Sequence, residues 1–85
     1  MTEVVVYSRA ACAYCDHAKQ LLQTKGIAYE EIRVDLDPDK LSEMLEKSGG
    51  LRTFPQIIIN GKGIGGFSEL WALEQQGALD KLINT

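Results

Sequence analysis

The spacing of apolar residues changes along the chain, and each spacing predicts one kind of secondary structure. β-Branched and aromatic residues fill Glu3 to Tyr7 and predict a short strand buried on both faces. Apolar residues then recur at helical spacing from Cys12 to Lys25, and Gly26 is a helix stop signal. Alternation over Tyr29 to Val34 predicts a second strand. The chain is therefore predicted to begin with a strand, a helix and a strand.

The middle of the chain carries signals for a second helix and a hairpin. Asp37-Pro38 supplies an N-cap and a first-turn proline for a helix that ends at Gly49-Gly50. The β-branched run Gln56 to Ile59 predicts a third strand. Asn60-Gly61 is a hairpin turn signal, so Gly63 to Gly66 is predicted to return as an antiparallel fourth strand.

A last helix completes the predicted fold. Ser68 is its expected N-cap, and Gly77 separates it from a short amphipathic turn. The order β-α-β-α-β-β-α predicts an α/β fold with a four-stranded mixed sheet and helices on both faces. A chain of 85 residues has room for one thin core, so residues 1–85 are predicted to form a single domain.

Composition narrows the range of partners. The net charge is -3, which gives no electrostatic footprint for nucleic acid or for an anionic membrane. Glu3 stands where a signal peptide needs basic residues, and the apolar run around it is too short to span a membrane. We therefore expect a soluble protein of the cytoplasm, without nucleic-acid or membrane partners.

The two cysteines, Cys12 and Cys15, stand at the start of the first predicted helix. Free N–H groups at a helix N-terminus stabilise a thiolate, and Arg9 adds a positive charge close to Cys12. Cys15 shares a helix face with Ala18 and Leu22 and is predicted to be buried. The residues thus favour Cys12 as the attacking thiol and Cys15 as the resolving thiol of disulfide exchange.

Other interpretations of the cysteine pair remain open at this stage. A structural disulfide over so small a loop removes little entropy from the unfolded chain. A zinc site needs further ligands, and His17, the only histidine, points away from Cys15 on the helix, so no metal site is predicted.

A glycine-rich segment also resembles a nucleotide-binding motif. Gly61 to Gly66 matches the G-x-G-x-x-G pattern of dinucleotide sites, but it does not follow the first strand of a parallel crossover.

Two further segments are ambiguous when each is taken alone. Gly65-Gly66-Phe67-Ser68 either binds a carboxylate with backbone N–H groups or is ordinary helix capping. Thr53-Phe54-Pro55 contains an X-Pro bond, and such bonds are cis in only about 5–6% of cases in folded proteins.

Together these segments resemble the glutaredoxin family over essentially the whole chain. Cys12-Ala13-Tyr14-Cys15 is similar to the family's dithiol Cys-Pro-Tyr-Cys, and Thr53-Phe54-Pro55 is similar to its Thr-Val-Pro with a cis proline. Gly65-Gly66-Phe67-Ser68 is similar to its Gly-Gly glutathione-binding segment.

The resemblance implies a thioredoxin-like fold and a glutathione-dependent thiol-disulfide oxidoreductase. Such an enzyme reduces protein disulfides and glutathione mixed disulfides through the Cys12 thiolate, with Cys15 as the resolving thiol. Glutathione is then the reducing co-substrate, the partners are disulfide-containing or glutathionylated proteins, and we expect a monomer without a tightly bound cofactor.

The resemblance also implies a glutathione site with the glutathione sulfur at Cys12. The Phe54 backbone pairs with the cysteinyl part, and the N–H groups of Phe67 and Ser68 receive the γ-glutamyl carboxylate. Arg9 faces the glycine carboxylate. The complete set of expected glutathione-binding residues is Arg9, Tyr14, Thr53, Phe54, Pro55, Gly66, Phe67 and Ser68. Arg52 and Gln56 flank the proline segment and are expected to be solvated.

Two residues depart from the family pattern. Ala13 replaces the usual proline and restores an N–H group close to Cys12, while Phe54 replaces valine and places a large ring beside the substrate groove. Some glutaredoxins with a small residue in place of that proline bind an iron-sulfur cluster. The alternative function is therefore a dimer in which a cluster is bridged by Cys12 of each chain and by two glutathione molecules.

Overall fold

A computed structural model describes residues 2–84 of the chain. The strands and helices, in chain order, are β1 (Val4–Ser8), α1 (Ala13–Thr24), β2 (Glu30–Arg33), α2 (Asp39–Ser48), β3 (Gln56–Ile59), β4 (Lys62–Gly65), α3 (Phe67–Gln75) and α4 (Ala78–Ile83). The predicted elements are all present, with ends that differ by one or two residues. The short amphipathic turn expected after Gly77 is a helix of its own, α4.

The sheet is mixed and has the strand order β2-β1-β3-β4. β1 and β2 are parallel and are joined through α1, whereas β3 runs antiparallel to both β1 and β4. Tyr7 of β1 lies opposite Ile32 on one side and Gln56 on the other. The four-stranded mixed sheet predicted from the element order is thereby confirmed.

The hairpin between β3 and β4 has the turn that its sequence predicts. Asn60 and Gly61 both adopt left-handed conformations, with φ of 52° and 80°. A two-residue turn with two positive φ angles matches the twist of antiparallel strands, so Ile59 pairs directly with Lys62. The glycine series that resembles a dinucleotide fingerprint lies in this hairpin, away from any parallel crossover.

Apolar side chains from the strands pack against helices on both faces of the sheet. One face is covered by α1, α3 and α4, and its buried residues are Val4, Val6, Ala18, Leu22, Ile57, Ile59, Leu70 and Leu79. The other face is covered by α2, and its buried residues are Val5, Tyr7, Val34, Met44 and Ile58. Every residue of β1 and β3 is buried, as expected for central strands covered on both faces.

The start of α3 differs from the prediction. The N-cap is Gly66, and Ser68 is already the second residue of the helix, so the expectation that Ser68 caps it is wrong. The Glu69 carboxylate reaches back instead and accepts a hydrogen bond from the Gly66 N–H at 2.7 Å. A glutamate at the third helical position can accept the backbone N–H of the N-cap residue, as in one half of a capping box.

Candidate active site

The candidate site lies at one end of the sheet, where segments far apart in sequence meet. The pairing of Tyr7 with Gln56 brings the loop after β1 to the same end as the proline that precedes β3. The pairing of Ile57 with Gly65 brings the end of β4 to this end as well. The sheet register therefore places the three sequence motifs around one location.

Cys12 and Cys15 form a disulfide, and their Cα atoms are 5.2 Å apart. Cys12 is the N-cap residue of α1, and its Sγ accepts a hydrogen bond from the Cys15 N–H at 3.1 Å. Cys15 is only 1% exposed and Cys12 is 8% exposed, so the predicted burial of Cys15 is confirmed. An N-cap sulfur that accepts a backbone hydrogen bond is well placed to carry negative charge.

The loop before Cys12 presents a cation beside an aromatic ring. The guanidinium carbon of Arg9 lies 5.6 Å from the centroid of the Phe54 ring, within the range of a cation-π contact. Ala11 has a φ of 52°, a conformation that is uncommon for residues other than glycine. The departure from valine at position 54 thus gives the ring a contact with the cation of the neighbouring loop.

Hydrogen bonds tie this end of β1 to α1 and β2. The buried Ser8 hydroxyl donates to Glu31 at 2.6 Å, and Lys19 of α1 donates to the same carboxylate oxygen at 2.9 Å. The bond from Ser8, together with that from Lys19, lowers the pKa of Glu31. The first turns of α1, which carry both cysteines, are therefore anchored to the sheet by an ionised carboxylate.

Asp35 follows β2 and lies near the loop that connects β1 to α1. The Arg33 guanidinium donates to both of its carboxylate oxygens, at 2.8 and 2.6 Å. These bonds, with further ones from backbone N–H groups that include that of Ala10, lower the pKa of Asp35 to about 2. Asp35 has no sequence signal for this role, because its contact with the loop depends on the parallel pairing of β1 with β2.

The peptide bond between Phe54 and Pro55 is cis, as the resemblance implies. Pro55 is buried. A Cβ atom added to Gly66 would stand 3.3 Å from the Pro55 carbonyl oxygen, so the proline segment and the start of α3 are in close contact. In the first turn of α3 the first helical hydrogen bond runs from Leu70 N–H to Gly66 C=O. The N–H groups of Phe67 and Ser68 consequently have no acceptor within the helix.

Four aromatic rings of α1 and α3 form a cluster. Tyr14 and Phe67 are stacked with centroids 6.2 Å apart, and Phe67 and Trp71 are also stacked, at 6.2 Å. His17 meets Phe67 edge-on at 5.6 Å. His17 is exposed, as predicted, but its place in this cluster was missed. The signal that was available is the helical spacing of Tyr14 with His17 and of Phe67 with Trp71.

Gln56 is the one flanking residue whose predicted environment is wrong. It was expected to be solvated, but it is 1% exposed and lies opposite Tyr7 on the α2 face of the sheet. Its Nε2 donates to the Thr53 carbonyl oxygen at 2.9 Å and to the Thr53 hydroxyl at 3.0 Å. Arg52, by contrast, is exposed as predicted.

Comparison with known proteins agrees with this arrangement. The family model described as Glutaredoxin matches residues 4–64. The chain belongs to the glutaredoxin family. It is 44% identical over 81 residues to glutaredoxin 1 of Rickettsia conorii, and the aligned region covers 94% of this chain and 79% of that protein. It is 41% identical over 83 residues to glutaredoxin 3 of Escherichia coli strain K12, which covers 98% of this chain and 99% of that protein.

A glutaredoxin of known structure also has the same fold. The crystal structure of a buckwheat glutaredoxin-glutathione complex superimposes with a TM-score of 0.86 at 30% identity, covering 98% of this chain and 77% of that one. The thioredoxin-like fold is thus confirmed, and membership of the glutaredoxin family assigns the chain as a thiol-disulfide oxidoreductase with a Cys-x-x-Cys pair.

Within residues 2–84, the histidine, cysteine and carboxylate side chains of this glutaredoxin form no group of three or more that could hold a metal ion. In the same part of the chain, no helix has the length and apolar character needed to cross a membrane.

Proposed function

We propose that this glutaredoxin reduces protein disulfides and glutathione mixed disulfides, with glutathione as its reductant. The observation that carries the proposal is the asymmetry of the cysteine pair: Cys12 Sγ accepts the N–H of Cys15 at the start of α1, while Cys15 is fully buried. This asymmetry favours Cys12 as the nucleophile and Cys15 as the resolving thiol.

The one-cysteine route acts on glutathione mixed disulfides. The reduced Cys12 thiolate attacks the glutathione sulfur, a Cys12-glutathione disulfide forms, and the substrate leaves as a thiolate that takes up a proton. A second glutathione, as its thiolate, attacks the sulfur of the bound glutathione. Glutathione disulfide leaves, and the Cys12 thiolate is restored. Cys15 takes no part in this exchange.

The two-cysteine route acts on protein disulfides. Cys12 attacks one substrate sulfur and the other leaves as a thiolate; Cys15 then attacks Cys12 Sγ and releases the second substrate thiol. The product is the Cys12-Cys15 disulfide present in this structure. Its Cα separation of 5.2 Å is within the ordinary range for disulfides, which supports closure without a large backbone movement. Two glutathione molecules then reduce this disulfide and leave as glutathione disulfide.

Glutathione has two carboxylates, and the site offers a receptor for each of them. Arg9 makes no ion pair within residues 2–84, so its charge is available to the glycine carboxylate. The N–H groups of Phe67 and Ser68 are suited to the γ-glutamyl carboxylate, because they sit at the positive end of α3. The glutathione complex of the buckwheat relative supports the same ligand here.

The remaining proposed contacts surround the sulfur. The Phe54 backbone would pair with the cysteinyl part, beside Thr53 and the cis Pro55, and Tyr14 would form a wall of the site. Gly66 would allow the ligand backbone to approach α3. We also propose that residues 1–85 act as one monomeric domain in the cytoplasm, where glutathione keeps thiols reduced. The cluster-bridged dimer through Cys12 stays a prediction.

A turnover assay on a glutathionylated peptide tests the proposal. The wild-type protein is supplied either with glutathione, glutathione reductase and NADPH, or with thioredoxin reductase and NADPH alone. We expect release of the free peptide thiol in the first mixture and none above background in the second. Equal rates in the two mixtures, or turnover only with thioredoxin reductase, would contradict glutathione as the reductant.

A further inference from the structure

We propose that Gln56 is a positioning residue for substrate binding: its buried carboxamide holds Thr53 and thereby sets the geometry of the Phe54-Pro55 turn. This inference rests on the proposed function, since it concerns the backbone with which glutathione would pair. It assigns a role to a residue that makes no proposed contact with the substrate.

The hydrogen bonds of Gln56 close a small ring around the turn. Nε2 donates to the Thr53 carbonyl oxygen at 2.9 Å and to the Thr53 hydroxyl oxygen at 3.0 Å. A carbonyl oxygen only accepts, so it is the amide nitrogen that must face it, and both of its protons are used. Phe54 and Pro55 are the two residues enclosed by this ring. The ring therefore limits the conformations available to the segment between Thr53 and Gln56.

The position of Gln56 in the sheet keeps its side chain rigid. It is the first residue of β3, lies opposite Tyr7, and is 1% exposed. Its side chain is packed from all sides, so it cannot follow a movement of the loop as a solvated side chain would. Thr53 is exposed and has no such packing of its own. The hydrogen bonds thus connect the immobile side chain of Gln56 in β3 to Thr53, a loop residue whose position they fix.

The unpaired oxygen of Gln56 indicates that a glutamine at this position does not serve to stabilise the fold. Oε1 is buried and has no hydrogen-bond partner within residues 2–84. A buried polar atom without a partner destabilises the folded state, whereas an apolar side chain of the same shape would carry no such cost. Thr53 is exposed, so water can replace the bonds that it receives from Nε2. An apolar replacement at position 56 should therefore leave stability nearly unchanged.

The test compares Gln56→Met with a matched control, Gln75→Met. Methionine keeps the length of the side chain and removes both polar atoms, and Gln75 is an exposed glutamine of α3. The measurements are kcat and KM for the glutathionylated peptide, the pH midpoint of Cys12 alkylation in the reduced protein, and the melting temperature.

For Gln56→Met we expect KM to rise about tenfold with kcat within about twofold of wild type, because a displaced turn weakens positioning of the substrate. The alkylation midpoint should stay at the wild-type value, since Cys12 Sγ bonds to the N–H of Cys15 and not to Gln56. The melting temperature should stay within about 3 °C of wild type. Gln75→Met should match wild type in every measurement.

An unchanged KM in folded Gln56→Met overturns the inference, and so does a shifted alkylation midpoint, which would mean that Gln56 acts on the nucleophile. If Gln56→Met does not fold, Gln56→Asn decides, because it keeps a carboxamide but shortens the side chain by one methylene and so loses its reach to Thr53. A rise in its KM of about threefold supports the inference and no rise overturns it. Failure of the wild-type protein to act on the peptide contradicts the proposed function instead.

Discussion

Cys12 Sγ accepts a hydrogen bond from the backbone N–H of Cys15 at 3.1 Å, so the two cysteines are connected through the first turn of α1 as well as through their disulfide. The bond goes in one direction only, from the deeper residue to the sulfur nearer the surface. When the disulfide is reduced, the same donor is available to a thiolate at Cys12. The helix therefore gives the two cysteines different environments, although their side chains are identical.

This difference predicts opposite outcomes for the two serine variants. Cys12→Ser should lose all activity toward both a glutathionylated peptide and a protein disulfide, because the nucleophile is absent. Cys15→Ser should keep activity on the glutathionylated peptide to within about threefold and lose reduction of the protein disulfide. Both are measured by release of free thiol with glutathione and its reductase. Inactive Cys15→Ser on the peptide, or active Cys12→Ser, would reverse the proposed roles.

Ala13→Pro tests the departure from the family pattern inside the cysteine motif. Ala13 is the first residue of α1, a position at which proline fits without breaking the helix. The fold should be retained, but one free N–H group close to Cys12 is lost, so less negative charge is stabilised there. We expect the pH midpoint of Cys12 alkylation to rise by up to about one pH unit. Ala13→Ser is the matched control, since it keeps the N–H group and should leave the midpoint unchanged.

An unchanged midpoint in Ala13→Pro would show that the N–H group of residue 13 does not act on the thiolate. The bond from Cys15 would then account for the stabilisation by itself.

Gly65→Ala tests the close packing at the start of α3. Gly65 has a φ of 117°, and an added Cβ would stand 2.7 Å from the Glu69 carboxylate oxygen that caps the helix. We expect the free energy of unfolding to fall by about 2 kcal/mol or more, from backbone strain and loss of the cap. Urea denaturation measures this change.

Gly26→Ala is the matched control for this substitution. Gly26 also has a positive φ, of 71°, but an added Cβ meets nothing within 4 Å. Its substitution should cost about 1 kcal/mol, from the left-handed conformation alone. Equal losses in the two variants would mean that the contact with Glu69 adds nothing.

The hydrogen bond between Tyr7 and Glu43 predicts a pH-dependent contribution to stability. The Tyr7 hydroxyl donates to Glu43 at 2.5 Å; burial, with this bond, raises the pKa of Tyr7, and the same bond lowers the pKa of Glu43. Above about pH 10 the unfolded chain loses a tyrosine proton that the folded protein keeps, so the contribution of Tyr7 falls as pH rises. As the pH drops below about 4, Glu43 takes up a proton in the unfolded chain before it does so in the folded protein. The contribution of Glu43 to stability therefore falls as pH drops.

Tyr7→Phe should therefore be less stable than wild type at neutral pH, by a melting temperature difference of about 4 °C. The difference should narrow above about pH 10 and below about pH 4. Tyr29→Phe is the control, since the Tyr29 hydroxyl bonds to the exposed side chain of Gln23. Thermal unfolding over this pH range measures the effect, and a constant difference between Tyr7→Phe and wild type would contradict it.

Local patterns predicted the elements and the chemistry of the cysteines well. The β-branched runs became the buried strands β1 and β3, and Asn60-Gly61 became a hairpin turn because its conformation depends on those two residues. The cysteine spacing placed Cys12 at the start of α1 and Cys15 on its buried face. These features follow from residues within one or two helical turns of each other.

Other features depend on which distant segments the sheet brings together. Gln56 looked like a solvated residue beside a proline, but its pairing with Tyr7 places it under α2. Arg9 meets Phe54 for the same reason, since the ends of β1 and β3 coincide.

The order of elements, the cysteine pair and the family follow from the amino-acid sequence alone, because short-range spacing and turn chemistry carry that information. The contact of Arg9 with Phe54 and the hydrogen bonds from Gln56 to Thr53 depend on the tertiary structure. The physical reason is that burial and hydrogen-bond partners are set by strand register and helix packing. A residue's neighbours in sequence do not specify either one.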